Sequence, residues 1–452
     1  MMADEVWGWG WSGFGQSGTP SSGEVDNPTP IFFEKRIVSL AGSWFHSAAC
    51  DSSGDLYTWG NGRQGQLGRG GENGGGNSTS VENEEESRPQ LVTGITGMHD
   101  FASVGCGGSH TMAVTNKGLV FAMGQNTLGQ LGVEEYDTDF GFVRRPIQVP
   151  DVTRVTTIAC GHEFTVCTTA THNAMSWGSN QYGQLGRRVP GGKEFTHKPG
   201  VVETGRRYVC TESATVGTRP AIIRNPATCV FSIHAVACGE NHLLLLDVDG
   251  CVFSCGSNEG GALGAGHTAA SVLRPKPTAR ITYFLKCGVT ISAVYASGAS
   301  SAAVSSDSGG HNGGRTLYTW GANSDGHLGL GDHEARPTPT PVEVGGPVID
   351  VGLGDAHMHV LYEPRSAGRD HSGDHAHSDG AVTDTRADTL PVVVCWGRST
   401  SGRLGLGNVP MLVSGPAALR IQTYFRRYAA SKRVRGVRDA RANQEVIEVV
   451  EE

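Results

Sequence analysis

The chain has 452 residues with a formal net charge of −8, and 66 of them are glycine, about double the ~7% usual in soluble domains. No Gly-X-Y period excludes a collagen-like chain, and 8 tryptophans with apolar runs such as Leu243 to Leu246 exclude outright disorder. The acidic balance argues against a nucleic-acid-coating surface, and no run approaches the ~18 apolar residues of a membrane span. The 11 cysteines include no C-x-x-C pair, so zinc-ribbon and disulfide frameworks fail. The opening MMADEVWGWG is acidic where a signal peptide needs a basic start. The expectation is a soluble all-β protein of a reducing compartment, built of short strands and tight turns.

A ten-residue pattern organises the chain. It reads WGWSGFGQSG from Trp9, WGNGRQGQLG from Trp59, MGQNTLGQLG from Met123, WGSNQYGQLG from Trp177, CGSNEGGALG from Cys255, WGANSDGHLG from Trp320 and WGRSTSGRLG from Trp396. The copies start 50, 64, 54, 78, 65 and 76 residues apart, which describes one structural unit with variable loop additions. A second pattern, Gly-x-x-His before small and β-branched residues, precedes most copies: GGSHTMAV ending at Val114, GENHLLLL ending at Leu246 and GDAHMHV ending at Val360. SWFHSAA around His46 is a variant, and Gly161 and Gly298 head copies with Phe164 and Ser301 at the histidine place. Two short apolar runs around turns such as DSSGDLY (51–57) or NKGLV (116–120) signal a β-hairpin. The Trp supplies an apolar body between sheets, and the glycines permit positive φ in the tight reversal. Leu67, Leu131, Leu185, Leu263, Leu328 and Leu404 recur at one turn position, where they pin the loop to the core. Such units bury both faces only by stacking, and stacking radially they close into a propeller.

On these elements the chain resembles the regulator of chromosome condensation family, whose repeat carries both patterns in a seven-bladed β-propeller. The match runs from Val6 to Leu406. Seven Trp-type copies face six of the His type, because none of the second kind precedes Trp9 or follows Trp396. The closing blade is therefore completed by a strand from 409–413 or the EVIEVV near the carboxyl end, or else it exposes an edge that a partner strand covers.

The repeats fill a propeller domain over 1–415, interrupted by inserts near 69–87, 187–225, 305–314 and 364–390. The first and third are polar low-complexity loops. The 187–225 insert contains Val, Ile and Tyr and is read with its own hairpin. The fourth gathers His371, His375 and His377 among Asp370, Asp374 and Asp379, a composition that suits a metal, yet a solvated loop is the better reading. GFGQSG (13–18) and GNGRQG (60–65) match a dinucleotide fingerprint but lack its βαβ context, so no cofactor is expected. His110, His242 and His357, one per blade, read as a shared structural hydrogen bond rather than catalytic groups. Cys106, Cys160 and Cys238 read as small core residues. No nucleophile and base pattern stands out, and the expectation is a protein without catalysis of its own.

From Pro416 the glycine-rich texture stops, and residues 416–452 read as a basic amphipathic helix begun by a proline, with an acidic end. Ile421, Phe425 and Tyr428 form an apolar stripe. Ile421-Gln422, Arg426-Arg427 and Lys432 have the spacing of, and resemble, the IQ motif that binds calmodulin and related EF-hand proteins; only Arg427, at the usual Gly place, departs from it. The resemblance implies that Ile421 enters an EF-hand groove, Gln422 bonds the interlobe linker and Arg426 meets acidic residues, with Phe425, Arg427 and Lys432 completing the site. These expectations combine into an interaction scaffold coupled to calmodulin or a related EF-hand protein, in a ciliary, axonemal or other cytoskeletal assembly with microtubule-associated partners. The alternative implied by the family is nucleotide exchange on a Ran-like small GTPase, with the 187–225 insert as the element that would wedge into it.

Overall fold

The computed structural model describes residues 6–404, apart from 22, 71–84, 93–99, 135–140, 204–231, 270–278, 307–313, 365–390 and 401–402, together with residues 419 and 420. Strands β1 (Val6–Trp11) and β2 (Glu24–Ile31) pair antiparallel. Six four-stranded antiparallel sheets follow. Blade 1 is β3 (Ile37–Gly42), β4 (His46–Asp51), β5 (Leu56–Asn61) and β6 (Glu85–Leu91), and blade 2 is β7 (Phe101–Cys106), β8 (His110–Thr115), β9 (Val120–Gln125) and β10 (Phe142–Gln148). Blade 3 is β11 (Val155–Cys160), β12 (Phe164–Thr169), β13 (Ala174–Ser179) and β14 (Phe195–Val201). Blade 4 is β15 (Ile233–Cys238), β16 (His242–Asp247), β17 (Val252–Gly256) and β18 (Ala279–Arg280), after which comes the short helix α1 (Thr282–Cys287). Blade 5 is β19 (Ile291–Ser297), β20 (Ser300–Ser305), β21 (Leu317–Gly321) and β22 (Arg336–Val342). Blade 6 is β23 (Val348–Leu353), β24 (His357–Tyr362), β25 (Val392–Gly397) and β26 (Leu419–Arg420).

Each blade runs inner, second, third and outer strand in chain order. Five apolar clusters hold the ring, and each draws residues from two consecutive blades: Met112 and Val114 of blade 2 pack with Cys167 and Trp177 of blade 3, for example. The decapeptide is the turn from third to outer strand. Its Trp-Gly ends the third strand, and the glycine has a φ of 102° at Gly60 and 105° at Gly178. A Cβ on Gly178 would lie 2.6 Å from the Glu163 carbonyl oxygen, so only glycine lets the second strand approach. The Gln of the turn accepts from a backbone N–H two residues earlier, as in Leu128 to Gln130 at 2.9 Å and Tyr182 to Gln184 at 2.9 Å. The pinning leucines are buried at 67, 131, 185, 328 and 404, while Leu263 is half-buried.

Three expectations change. The described residues build six full blades rather than seven, because β1 and β2 form only the third and outer strands of another. Their register proves the equivalence: the ladder breaks between Gly8 and Gly10 of β1 as it breaks between Thr58 and Gly60 of β5, and Gly10 has the same φ, 101°. The histidine place of blade 5 is Ser300 rather than Ser301, since Ser300 pairs with Gly321 as His110 pairs with Gly124; one residue is missing from the turn after Gly298. Finally, Leu419–Arg420, inside the span read as a helix from Pro416, pairs with Val394 and Cys395 as an outer strand. Prolines already sit in the outer strands at Pro28, Pro89, Pro146, Pro199 and Pro337, where the exposed edge needs no N–H donor.

Of the inserts, 85–87 belong to β6, Pro190–Gly192 is a single helical turn and Phe195–Val201 is β14. The 409–413 and EVIEVV segments, the His371, His375 and His377 cluster, and residues 204–225 lie outside the described residues. Cys106, Cys160 and Cys238 are half-buried at the ends of inner strands, and burial pushes their thiols up, Cys160 to about 12.

Candidate functional site

The junction between blades is one repeated device. The carbonyl at the eighth position of a decapeptide accepts the indole N–H of the next sheet: Trp59 to Gln16 at 3.0 Å, Trp177 to Gln130 at 3.0 Å, Trp320 to Ala262 at 2.9 Å and Trp396 to His327 at 2.9 Å. A hydroxyl beside the Trp donates to the same carbonyl: Ser47 to Gln16, Thr165 to Gln130 and Ser301 to Ala262, each at 2.9 Å. Thr111, opposite Met123, donates likewise to Gln66 O at 2.8 Å, and these hydroxyls in turn accept from the histidine of the preceding blade: His46 Nε2 lies 2.8 Å from Thr111 Oγ1, His110 Nε2 3.0 Å from Thr165 Oγ1 and His242 Nε2 2.9 Å from Ser301 Oγ. Because each hydroxyl spends its proton on a carbonyl, the histidine must be the Nε2–H tautomer. Burial holds these rings neutral, with His46 and His110 lowered to about 3 and His242 to about 4. They are structural groups.

Trp9 of β1 donates to the Arg403 carbonyl of the last decapeptide at 3.0 Å and meets the His359 ring edge-on at 5.5 Å. The same bond that links consecutive blades thus closes the ring between its last and first sheets.

Turns between inner and second strands share one end of the propeller with the decapeptides. There the Gly108 N–H donates to the His162 carbonyl at 2.9 Å, His162 to Glu240 at 3.0 Å and Glu240 to Gly298 at 2.8 Å, a backbone chain around the axis. Upon it stands an aromatic row. Trp11 meets Phe14 at 5.4 Å, Phe14 meets Phe45 at 5.6 Å, Phe45 meets Trp44 at 6.2 Å, and Trp44 crosses to His162 at 5.6 Å. Trp11 and Trp44 are exposed, and the Arg63 guanidinium sits over Phe14 at 5.8 Å. Beyond His162 the surface is acidic. Burial raises the Glu240 carboxyl, with Asp355, Glu259 and Glu163 adding to the effect against His162. Arg398 grips Asp325 through Nε and Nη2 at 2.8 and 2.9 Å; burial opposes ionisation of Asp325, but this bidentate pair outweighs it and lowers the carboxyl. Exposed aromatic rings beside carboxylates form an anchor for a protein surface with apolar and basic groups.

On the opposite end a cleft of about 190 Å³ lies beside α1 between Cys251, Arg280 and Phe284, below the size of ordinary ligand pockets. Among the described residues no group of three His, Cys, Asp or Glu is placed to hold a metal, and no helix is long and apolar enough to cross a membrane.

Models of the regulator of chromosome condensation (RCC1) repeat match residues 3–50, 53–114, 117–168 and 316–361, and a second model of that repeat matches 37–66, 101–130, 155–184 and 233–262. Together they cover more than half of the chain. The protein belongs to the RCC1 repeat family. This RCC1 propeller is 26% identical over 410 residues to the ultraviolet-B receptor UVR8 of Arabidopsis thaliana, covering 90% of this chain and 76% of that protein. It is 34% identical over 223 residues to human Protein RCC2, 48% of this chain and 39% of that one, and 27% identical over 285 residues to the human E3 ubiquitin-protein ligase HERC2, of which it spans 5%. Human WBSCR16, at 17% identity, superposes with a TM-score of 0.67 over 93% of this chain and 94% of that one. Yeast RCC1 (Prp20) bound to Kap60, at 20% identity, gives the same score over 93% and 85%. Both likenesses concern the fold.

The site residues read from the sequence, Ile421, Gln422, Phe425, Arg426, Arg427 and Lys432, lie outside the described residues. The aromatic row is absent from the sequence reading, because its members come from the turn after β1, the turn after β3 and blade 3. The available signal was local: Trp44 and Phe45 occupy the turn before His46 where other copies carry small or polar residues.

Proposed function

We propose that this RCC1 propeller is an interaction platform that regulates partner proteins, gripping one of them on the end that carries Trp11, Phe14, Trp44 and Phe45. The observation that carries this reading is the exposed Trp44, held edge to face against Phe45 and tilted over His162 rather than buried. Rigid aromatic side chains of this kind serve as binding anchors at little entropic cost. The tail supplies a second contact, with Ile421, Gln422, Phe425, Arg426, Arg427 and Lys432 engaging calmodulin or a related EF-hand protein in a cytoskeletal setting such as an axoneme. Spacing and charge support that part. Titration of the full chain with calmodulin, with and without calcium, tests it: binding lost in an Ile421→Ala/Gln422→Ala/Arg426→Ala variant is the expected result, and no binding in either condition overturns it.

A second reading is supported by Prp20p, whose structure was solved along with its binding properties to Gsp1p and histones. On this reading the same aromatic end contacts a Ran-like GTPase and speeds nucleotide release. Release of a fluorescent guanine nucleotide from a Ran-type GTPase decides it. Acceleration by the parent and at least a tenfold loss in Trp44→Ala support exchange, and an unchanged release rate rejects it.

A further inference from the structure

The nine described cysteines differ in what surrounds the thiol. Burial pushes Cys50, Cys160, Cys167 and Cys395 up to about 12, and it raises Cys106, Cys238 and Cys255 as well. Such core groups carry almost no thiolate, the form that reacts. Cys251 is half-buried, and its sulfur accepts from Arg280 Nη2 at 2.6 Å. Cys287, the last residue of α1, is the exposed one among them.

Two tyrosines flank that thiol. Tyr283 stands four residues before Cys287 on α1, so the two side chains share one face of the helix. Tyr318, from β21, packs against α1 and meets the Tyr283 ring at 6.2 Å and the Phe284 ring edge-on at 5.4 Å. Tyr318 is fully buried, yet its hydroxyl has no hydrogen-bond partner, a costly arrangement for a polar group. Burial raises both tyrosine hydroxyls and the Cys287 thiol adds to the effect on each, so the sulfur lies beside both.

We propose that Cys287 is a site of reversible oxidation by hydrogen peroxide, with the oxygen of its sulfenic acid held by the Tyr283 and Tyr318 hydroxyls. The thiol releases its proton and the thiolate attacks one peroxide oxygen. An S–O bond forms, the O–O bond breaks, sulfur gives up two electrons, and the departing hydroxide takes up that proton as water. The added oxygen is an acceptor beside two donors, and it gives the buried Tyr318 hydroxyl the partner it lacks. Thiols of the glutathione class reverse the change: the first displaces water to form a mixed disulfide, and a second attacks the sulfur of the first and releases Cys287. Because α1 lies on the end of the propeller opposite the aromatic row, this chemistry is independent of what that row or the tail binds.

The test treats the full-length protein with a small excess of hydrogen peroxide, removes the excess with catalase, labels sulfenic acids with dimedone and maps the adducts by mass spectrometry. Label at Cys287 is expected at about ten times the level at Cys106, Cys160 or Cys238. When dimedone is added after a delay, the Cys287 label should decay about fivefold faster in Tyr318→Phe and in Tyr283→Phe than in the parent. Before oxidation, Tyr318→Phe should melt at or above the midpoint of the parent, because the ring is kept and the lost hydroxyl had no partner. Oxidation should then raise the midpoint of the parent but not that of Tyr318→Phe. Absence of label at Cys287 overturns the proposal, as does label that decays equally in the parent and both variants. A reduced Tyr318→Phe that melts well below the parent also overturns it, since the hydroxyl then already has a partner within the fold.

Discussion

At the scale of single residues, the junction histidines make stability depend on pH. An unfolded histidine takes up a proton near 6.5, whereas folded His242 stays neutral down to about 4 and His46 and His110 down to about 3. Below pH 6.5 the unfolded state therefore binds more protons, and each such ring subtracts up to ~1.4 kcal/mol per pH unit until its folded value is reached. Urea midpoints are expected to fall steadily from pH 7 to pH 4. Phe164 holds the histidine place in blade 3, so His242→Phe keeps the volume and loses the bond to Ser301. That variant should be about 1 kcal/mol less stable at pH 7 and overtake the parent between about pH 5 and 6. A parallel pair of pH profiles would refute the account. Glycine is equally local: Gly178→Ala places a Cβ against the Glu163 carbonyl at a φ of 105°, and chemical denaturation should record a loss of about 2 kcal/mol or more.

At the scale of elements, the decapeptide turn is pinned by its leucine, and the pin is uneven. Leu131 is fully buried in the cluster joining blades 2 and 3, whereas Leu263 is half-buried. Leu131→Ala should cost about 2–5 kcal/mol, and Leu263→Ala clearly less, a ranking that denaturant unfolding of the two variants would test. Strand elements of this kind were legible because Trp-Gly and Gly-x-x-His sit at fixed places in the ladder, so their chemistry recurs even where other residues drift. Ser300 was displaced by one position because pattern spacing counts residues, while the sheet counts hydrogen-bond partners across from Gly321. The aromatic row was not legible as a unit, since Phe14, Phe45 and His162 come together only when three sheets stand side by side.

At the scale of the whole molecule, the second strands of blades 2 to 5 are buried at every residue, while β24 of blade 6 is half-exposed at alternate ones. Hydrogen exchange should follow that gradient, with β8, β12 and β16 slowest and β1, β2, β3 and β24 fastest among the strands. Trp9→Phe removes the bond to Arg403 that spans this junction; it should speed exchange in β1, β2 and β24 while leaving β12 and β16 unchanged, and uniform acceleration would argue against a local closure. Seven blades were expected and the described residues build six with the β1–β2 pair beside them; the sequence carried the signal of that shortfall, because Gly-x-x-His copies report second strands and only six of them face the seven Trp-type copies.

The repeated indole bond has a consequence for how such molecules change over time. Every junction uses the same carbonyl, and five of the seven seat an indole on it, while Thr111 and Cys255 supply the donor at the other two, so one acceptor serves every blade alike. A duplicated unit would find docking partners on both flanks as readily as the original does. The number of units in the circle is then governed by the angle through which successive sheets turn, a geometric quantity spread over the twist of all of them, and not by any recognition chemistry written at a single place.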